Sequence, residues 1–172
     1  MTQTITSAAT SLNQVPAILR LIEKAASNPH WIGINNLLDY GGGKYDLLTR
    51  ELTKRGVNNL VYDPFNRSED HNEMVRWLLK HHGADAAICS NVLNVIRGLA
   101  VRRAVLQDIK SMTVSYGEVF FTVYEGDGSS VGRKTSKGWQ ANRPTKNYLR
   151  EIRQEFTNVK IIGKLIVARG FK

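Results

Sequence analysis

A chain of 172 residues with 42% hydrophobic side chains and a single cysteine is long enough for one proper core, holds no internal disulfide and fits a reducing, cytoplasmic setting. No apolar run approaches the ~20 residues of a membrane span, and the Thr- and Ser-rich start lacks the basic residues of a secretory signal. The net charge of +9 is lopsided: residues 1–125 carry 13 Lys/Arg against 12 Asp/Glu, and residues 126–172 carry 11 against 3. Such a basic end points to a polyanionic partner such as nucleic acid, or to no more than a solvated surface.

Residues 1–11 read as a mobile lead-in. Val15, Ile18, Leu19 and Ile22 then recur at helical spacing, with Pro16 in a first turn and Asn28-Pro29 ending the run. Asn36-Leu37-Leu38-Asp39-Tyr40-Gly41-Gly42-Gly43-Lys44-Tyr45-Asp46 follows. A short apolar run closes on an acid, three glycines come next, and Tyr45, Leu48 and Leu52 start a helical face. That order is strand, tight turn, helix, with glycines where the backbone takes positive φ or lies close to a ligand. A second strand, Asn59 to Asp63, also ends in an acid, and Asp63-Pro64-Phe65-Asn66-Arg67 forms the loop behind it. One helix from Glu69 to His82, supported by Met74, Val75, Leu78 and Leu79, fills the interval to the next strand at Ala84 to Cys89. No second apolar run lies in that interval.

Val101, Val105, Ile109 and Met112 mark the next helix, and Glu118 to Tyr124 the next strand. Residues 126–144 are expected to be an irregular, substrate-side loop, glycine-rich at first and cationic afterwards. A helix resumes near Thr145 with Leu149, Ile152 and Phe156 inward. Val159–Ile162 and Leu165–Ala168, joined by Gly163-Lys164, close the chain as a hairpin.

The chemistry concentrates at the carboxyl ends of these strands. Asp39 suits the cationic part of a ligand, and Asp63 suits the two hydroxyls of a ribose. A dinucleotide would set its pyrophosphate against Asp46, where its fingerprint wants a third glycine. S-adenosyl-L-methionine has a ribose, a sulfonium and an ammonium but no phosphate, and so matches the two acids better. Phe65 lies against the adenine or packs as a loop aromatic. Asn91 and Asn94 orient a substrate group or cap the following turn. Tyr124 and Glu125 face the cleft; Glu125 is the general-base candidate, with a solvated loop acid as its plain alternative. Trp139 among Arg133, Lys134, Lys137 and Arg143, with Gln140 and Asn142 nearby, suits an exposed nucleotide; otherwise Trp139 anchors the loop. Lys146, Arg150 and Arg153 at i, i+4 and i+7 form an exposed stripe fit for a phosphate backbone. His30, His71, His81 and His82 make no metal pattern, and Cys89 inside an apolar strand reads as core.

Asp39-Tyr40-Gly41-Gly42-Gly43 resembles the acid-x-Gly-x-Gly first motif of class I methyltransferases, with Tyr45 where that family often has another glycine. Ser90-Asn91-Val92-Leu93-Asn94-Val95-Ile96 resembles their fourth motif, without the Pro-Pro-aromatic of enzymes that methylate nucleic-acid amines. Across most of residues 12–170 the chain resembles small phage-type methyltransferase-like proteins and, more distantly, the methyltransferase-like proteins associated with DNA phosphorothioation. The resemblance implies an α/β fold over residues 1–172 as a single domain: a Rossmann-like, three-layer αβα sheet of six strands, lacking the usual third strand and ending in an antiparallel hairpin. It implies S-adenosyl-L-methionine held by Asp39, Tyr40, Gly41, Gly43 and Lys44, with Asp63, Pro64 and Phe65 on one side and Ser90 and Asn91 on the other. The expected activity is methyl transfer to a nucleic acid or nucleotide. A small-metabolite methyltransferase and a non-catalytic adenosyl-ligand-binding protein are the alternatives.

Overall fold

Short apolar runs separated by helical segments can only pair in parallel, because each helix carries the chain back to the start of the next strand. The computed structural model describes residues 15–25, 31–136 and 138–172. The expectations placed on residues 1–11, Asn28-Pro29, His30 and Lys137 lie outside the described residues. In chain order the elements are α1 (Ala17–Ala25), β1 (Asn36–Tyr40), α2 (Leu47–Thr53), β2 (Asn58–Tyr62), α3 (Glu69–His82), β3 (Ala84–Ser90) and α4 (Leu99–Ser111). Then come β4 (Thr113–Thr122), β5 (Arg133–Thr135), β6 (Gly138–Gln140), α5 (Leu149–Glu155), β7 (Phe156–Ile162) and β8 (Leu165–Phe171). Short 3-10 turns sit at Leu93–Val95 and Thr145–Tyr148.

The main sheet has the order β2-β1-β3-β4-β8-β7. The first four strands are parallel, and β8 and β7 return antiparallel. One face packs Ile18, Leu19 and Ile22 of α1 and Leu48 and Leu52 of α2 on Leu37, Ile88 and Phe120. The other packs Val75 and Leu79 of α3, Leu106 and Ile109 of α4 and Ile152 of α5 on Leu38, Ala87 and Phe121. This is the three-layer α/β arrangement that the apolar runs imply. Cys89 is part of the second core, 1% exposed.

From Asp63 to Ala84 the chain forms α3 and no strand, so β2 is a sheet edge. The helix is bounded locally. The Ser68 hydroxyl accepts from the His71 amide at 3.3 Å, Glu69 and Asp70 occupy the first turn, and Gly83 at φ 70° ends it. His71 turns its ring back on the open edge, with Nε2 2.8 Å from the Val61 carbonyl. A side chain thereby satisfies a backbone acceptor that a further strand would otherwise take.

Several boundaries differ from the sequence expectation, among them β4, which begins at Thr113 and not Glu118, and the last two strands, the first starting at Phe156 and the second ending at Phe171. Residues 126–144 are not irregular throughout: β5 and β6 pair as a two-stranded ribbon, Lys134 opposite Trp139. The helix after Pro144 begins as a 3-10 turn and becomes α-helical only at Leu149. Phe156 belongs to β7 and not to that helix; its ring packs edge-on against Phe121 at 6.0 Å and Phe171 at 5.6 Å.

Candidate functional site

The carboxyl ends of β1, β2, β3 and β4 converge on one edge of the sheet, where an open α/β fold places its ligands. The glycine turn after β1 is tightly set. Gly41 and Gly43 take φ of 76° and 75°, and the Gly41 amide donates to the Tyr62 carbonyl at 2.7 Å. A Cβ at Gly41 would run into Val92, and one at Gly42 into the Asp39 carboxylate. Close approach from two directions is what reserves these positions for glycine.

Asp39 is 3% exposed. Burial pushes its pKa up to about 7; the neighbouring Asn59 amide lowers it, the charge of Asp63 raises it further, and Arg67 lowers it. Among the described residues Asp39 forms no ion pair; Arg67, the cation that acts on it, pairs with Asp46 instead. Tyr40 turns to the opposite face, where its hydroxyl donates to Asp108 at 3.0 Å and its ring lies against Tyr62 at 5.1 Å. Asp108 also pairs with Arg76 at 2.6 Å, which ties α4 to α3 beneath the turn. Lys44 is exposed, with its ammonium 5.1 Å from the centre of the Tyr45 ring.

Asp63 corrects the simple ribose expectation. One carboxylate oxygen accepts from the Phe65 and Asn66 amides at 2.9 and 3.0 Å, the other from the Gly43 amide and Asn66 Nδ2 at 2.9 and 3.0 Å. Four donors fill the usual capacity of a carboxylate, so hydroxyls of a ribose would have to replace some of them. Pro64 and Phe65 stand exposed beside it, Phe65 by 56%, so the ring is not a packed loop aromatic. Two residues that the sequence reading did not single out complete this corner. Arg67 donates to the Gly43 carbonyl at 2.7 Å and to Asp46 at 2.6 Å, and Asn72 brackets the Asp63 backbone through its amide at 2.9 and 3.0 Å.

Across the edge, the Ser90 and Thr122 hydroxyls lie 2.9 Å apart and the Asn91 amide donates to the Thr122 carbonyl at 2.9 Å. Asn91 adopts φ 58° and is exposed, so its side chain is presented at the edge. Asn94 is not. It is 1% exposed, and its Nδ2 donates to Gln140 at 3.1 Å while its carbonyl receives the Ala141 amide. Asn94 therefore anchors the ribbon through both its side chain and its carbonyl.

Glu125 is also corrected. Its carboxylate accepts from the Thr145 amide at 2.7 Å and the Thr145 hydroxyl at 2.8 Å, and pairs with Lys164 at 3.2 Å. These donors hold its pKa down at about 2, Thr145 first and Lys164 after it. A carboxylate so stabilised is a clamp and a poor proton acceptor. Tyr124 beside it is 63% exposed, with its carbonyl bonded to Gln140 Nε2 at 3.0 Å.

Most of the residues expected to read a base are committed to the fold. Gln140 spends its amide on Asn94 and Tyr124. Asn142 is 1% exposed, sits at φ 50° and donates to the Val131 carbonyl at 3.1 Å. Trp139 has the Arg97 guanidinium over its ring at 5.0 Å and Gly132 against its benzo edge, where a Cβ would overlap the ring. Arg143 pairs with Glu151 at 2.9 Å, donates to the Asn147 carbonyl and lies over the Tyr148 ring at 4.4 Å. Arg133, Lys134, Lys146, Arg150 and Arg153 remain exposed. Among the described residues no three His, Cys, Asp or Glu gather as a metal site, and no helix is long and apolar enough to cross a membrane.

No family model and no curated protein sequence matches the chain. Solved structures do. An O-methyltransferase family protein from Burkholderia thailandensis is similar with a TM-score of 0.59 at 12% identity, over 91% of this chain and 57% of that one. The 1,6-didemethyltoxoflavin-N1-methyltransferase of the same organism, solved with its substrate and S-adenosylhomocysteine, scores 0.62 at 16% identity over 91% and 79%. The N-terminal domain of EvdMO1, solved with S-adenosylhomocysteine, scores 0.58 at 14% identity over 92% and 82%. The chain spans little more than half the length of the first of these and about four-fifths of the other two. Sheet order, the glycine turn after β1 and these likenesses together establish that the chain has the class I methyltransferase fold.

Proposed function

We propose that the chain binds S-adenosyl-L-methionine at the Asp39–Gly43 turn and transfers its methyl group to a nitrogen acceptor. The observation that carries this reading is Asp39, a buried carboxylate beside a close-approach glycine turn, in no ion pair among the described residues and with its pKa raised to about 7. An ammonium-bearing ligand supplies the missing charge. The ribose end fits through exchange: hydroxyls would take the places of Gly43 N–H and Asn66 Nδ2 on Asp63. Phe65, 56% exposed beside them, is free to lie along an adenine.

When bound, S-adenosyl-L-methionine supplies an electrophilic methyl on a sulfonium. The protein's own part is positioning, which dominates an in-line displacement. Asn91, Tyr124 and the Ser90–Thr122 hydroxyl pair stand at the edge where an acceptor would be oriented. Glu125, the carboxylate the sequence offered as a base there, is clamped by Thr145 and Lys164 and so is a poor group to remove a proton before attack. A neutral nitrogen needs no such base, because its lone pair attacks directly and its proton leaves to solvent afterwards; a hydroxyl or a carbon would need one. Of the similar solved proteins named above, one is described as an N1-methyltransferase and another as an O-methyltransferase family protein, so the acceptor atom rests on the geometry of this edge.

We assign the acceptor to a nucleic acid or nucleotide on the strength of the basic end. The second reading is a small metabolite, favoured by the engagement of Trp139, Gln140 and Asn142 within the fold. The buried free thiol of Cys89 agrees with a reducing cytoplasm. Calorimetry with S-adenosylhomocysteine tests the cofactor, and mass spectrometry of nucleosides and metabolites from cells with and without the protein tests the acceptor. Absence of S-adenosylhomocysteine binding overturns the reading. Binding without any methylated product turns it to a non-catalytic adenosyl-ligand protein.

A further inference from the structure

Several cations of the C-terminal third gather on the turn and helix that follow Pro144. The 3-10 turn Thr145–Tyr148 and α5 start beside the candidate methyl-transfer edge, because Thr145 is bonded to Glu125 just beyond β4. From there α5 runs down the outside of the sheet to the start of β7. Along this path the two acids are already doubly compensated: Glu151 pairs with Arg102 at 2.6 Å and Arg143 at 2.9 Å, and Glu155 with Arg103 at 2.8 Å and Lys110 at 3.2 Å. Lys146, Arg150, Arg153 and the neighbouring Lys172 are exposed and form no ion pair among the described residues. Positive charge is therefore in surplus from Lys146 on the 3-10 turn along the outside of α5 to Arg153.

We propose that this face, from the 3-10 turn along α5, binds the phosphate backbone of a nucleic acid without reading its sequence. Unpaired cations spaced along one face match a repeating line of phosphates. The exposed side chains of α5, Arg150, Arg153 and Gln154, offer nothing apolar to insert into a bilayer, which sets nucleic acid above an anionic membrane. Sequence independence follows from the same structure, since Trp139, Gln140 and Asn142 are held by Arg97, Asn94, Tyr124 and Val131. A face that extends so far from the edge fits a polymer better than a mononucleotide. The surface itself stands on charge; only its role in delivering an acceptor rests on the methyl-transfer reading.

The test is fluorescence anisotropy with labelled single-stranded DNA and RNA of mixed and homopolymeric sequence, over a range of salt. The wild type should bind all of them within a few-fold, and log affinity should fall with log salt at a slope of about −2 to −3 for three or four phosphate contacts. Combined Lys146→Glu, Arg150→Glu and Arg153→Glu should lower affinity at least about tenfold and flatten that slope. Reversing three exposed cations elsewhere, Arg50, Lys80 and Lys160, changes net charge equally and should leave most of the binding. A milder set with Gln at positions 146, 150 and 153 guards against misfolding and should lose binding in the same direction. Calorimetry with S-adenosylhomocysteine on each variant separates the two readings, because the α5 changes should not alter it. A wild type that ignores DNA and RNA at low salt overturns the proposal. So does equal loss in both reversal sets, binding only to phosphatidylserine vesicles, or a strong preference for one base.

Discussion

Asp39→Asn keeps the shape of the side chain and removes its charge, so it isolates the effect on which the cofactor reading rests. Burial strips the carboxyl of water and raises its pKa from the ordinary 3.8 to about 7 in the folded protein. A raised acid pKa means that between these two values the folded state holds a proton that the unfolded state has lost, so folding stability falls as pH rises through that window. From about pH 5 to about pH 8.5 the loss due to this one group is about 3 kcal/mol. Urea unfolding at the two pH values should show that decline in the wild type, and Asp39→Asn should remove most of it, making the variant the more stable protein in alkali. Ligand binding should move the opposite way. An ammonium favours the ionised carboxylate, so S-adenosylhomocysteine should bind the wild type more tightly as pH rises towards 7, and Asp39→Asn should weaken it by about 1.5–3 kcal/mol, the usual worth of a hydrogen bond to a charged group. If the stability profiles of wild type and variant run parallel across the window, the buried-charge argument is refuted. If the variant is pH-insensitive but binds the ligand unchanged, Asp39 is a structural acid only.

Other expected outcomes follow from the contacts around the edge. Gly41→Ala forces a Cβ into φ 76° and against Val92; the backbone strain alone should cost about 1–2 kcal/mol in urea melts, and adding Val92→Ala should recover only the clash. Arg102→Ala removes a nearly buried guanidinium that pairs with Glu151 and holds the Ile96 and Arg97 carbonyls, and should cost about 3–5 kcal/mol by the same assay. Glu125→Gln should leave the pH profile of methyl transfer unaltered, whereas loss of a true general base costs about a hundredfold or more. Because its pKa is depressed to about 2, the stability Glu125 contributes is present above its ordinary range and lost as pH falls towards 2, which an acid-unfolding series of the same variant checks.

The parts of this fold that announce themselves in sequence are those settled by neighbours a few residues away. Ser68 and Gly83 bound α3, and a single amphipathic run between Asp63 and Ala84 leaves no residues for another strand. The glycine turn is legible for the same reason, since the demand for positive φ is local. The ribbon of β5 and β6 is not, because Arg133, Lys134 and Thr135 are exposed on both faces and carry no alternation. Nor are the fates of Gln140 and Glu125, whose partners Asn94 and Thr145 lie 46 and 20 residues away. Asp63 is an instructive mixture. Its bonds to Phe65 and Asn66 follow from a short acid-proline turn, while its bond to Gly43 needs two strands side by side.

The acids at the carboxyl edge divide into two kinds, and the division bears on the chemistry. Asp46 pairs with Arg67, Asp63 accepts four hydrogen bonds, and Glu125 is clamped by Thr145 and Lys164. Each is engaged in place by these partners, and for Glu125 they hold the pKa down at about 2, which leaves it little capacity to take a proton from a substrate. Asp39 alone has its charge destabilised by burial, and Gly42 packs against it at the turn. A site arranged in this way attracts a cation at Asp39. On the methyl-transfer reading proposed above, an edge whose Glu125 is clamped suits an acceptor that is nucleophilic without a base, such as a neutral nitrogen. The Asn91 and Tyr124 side chains at the edge need only aim it.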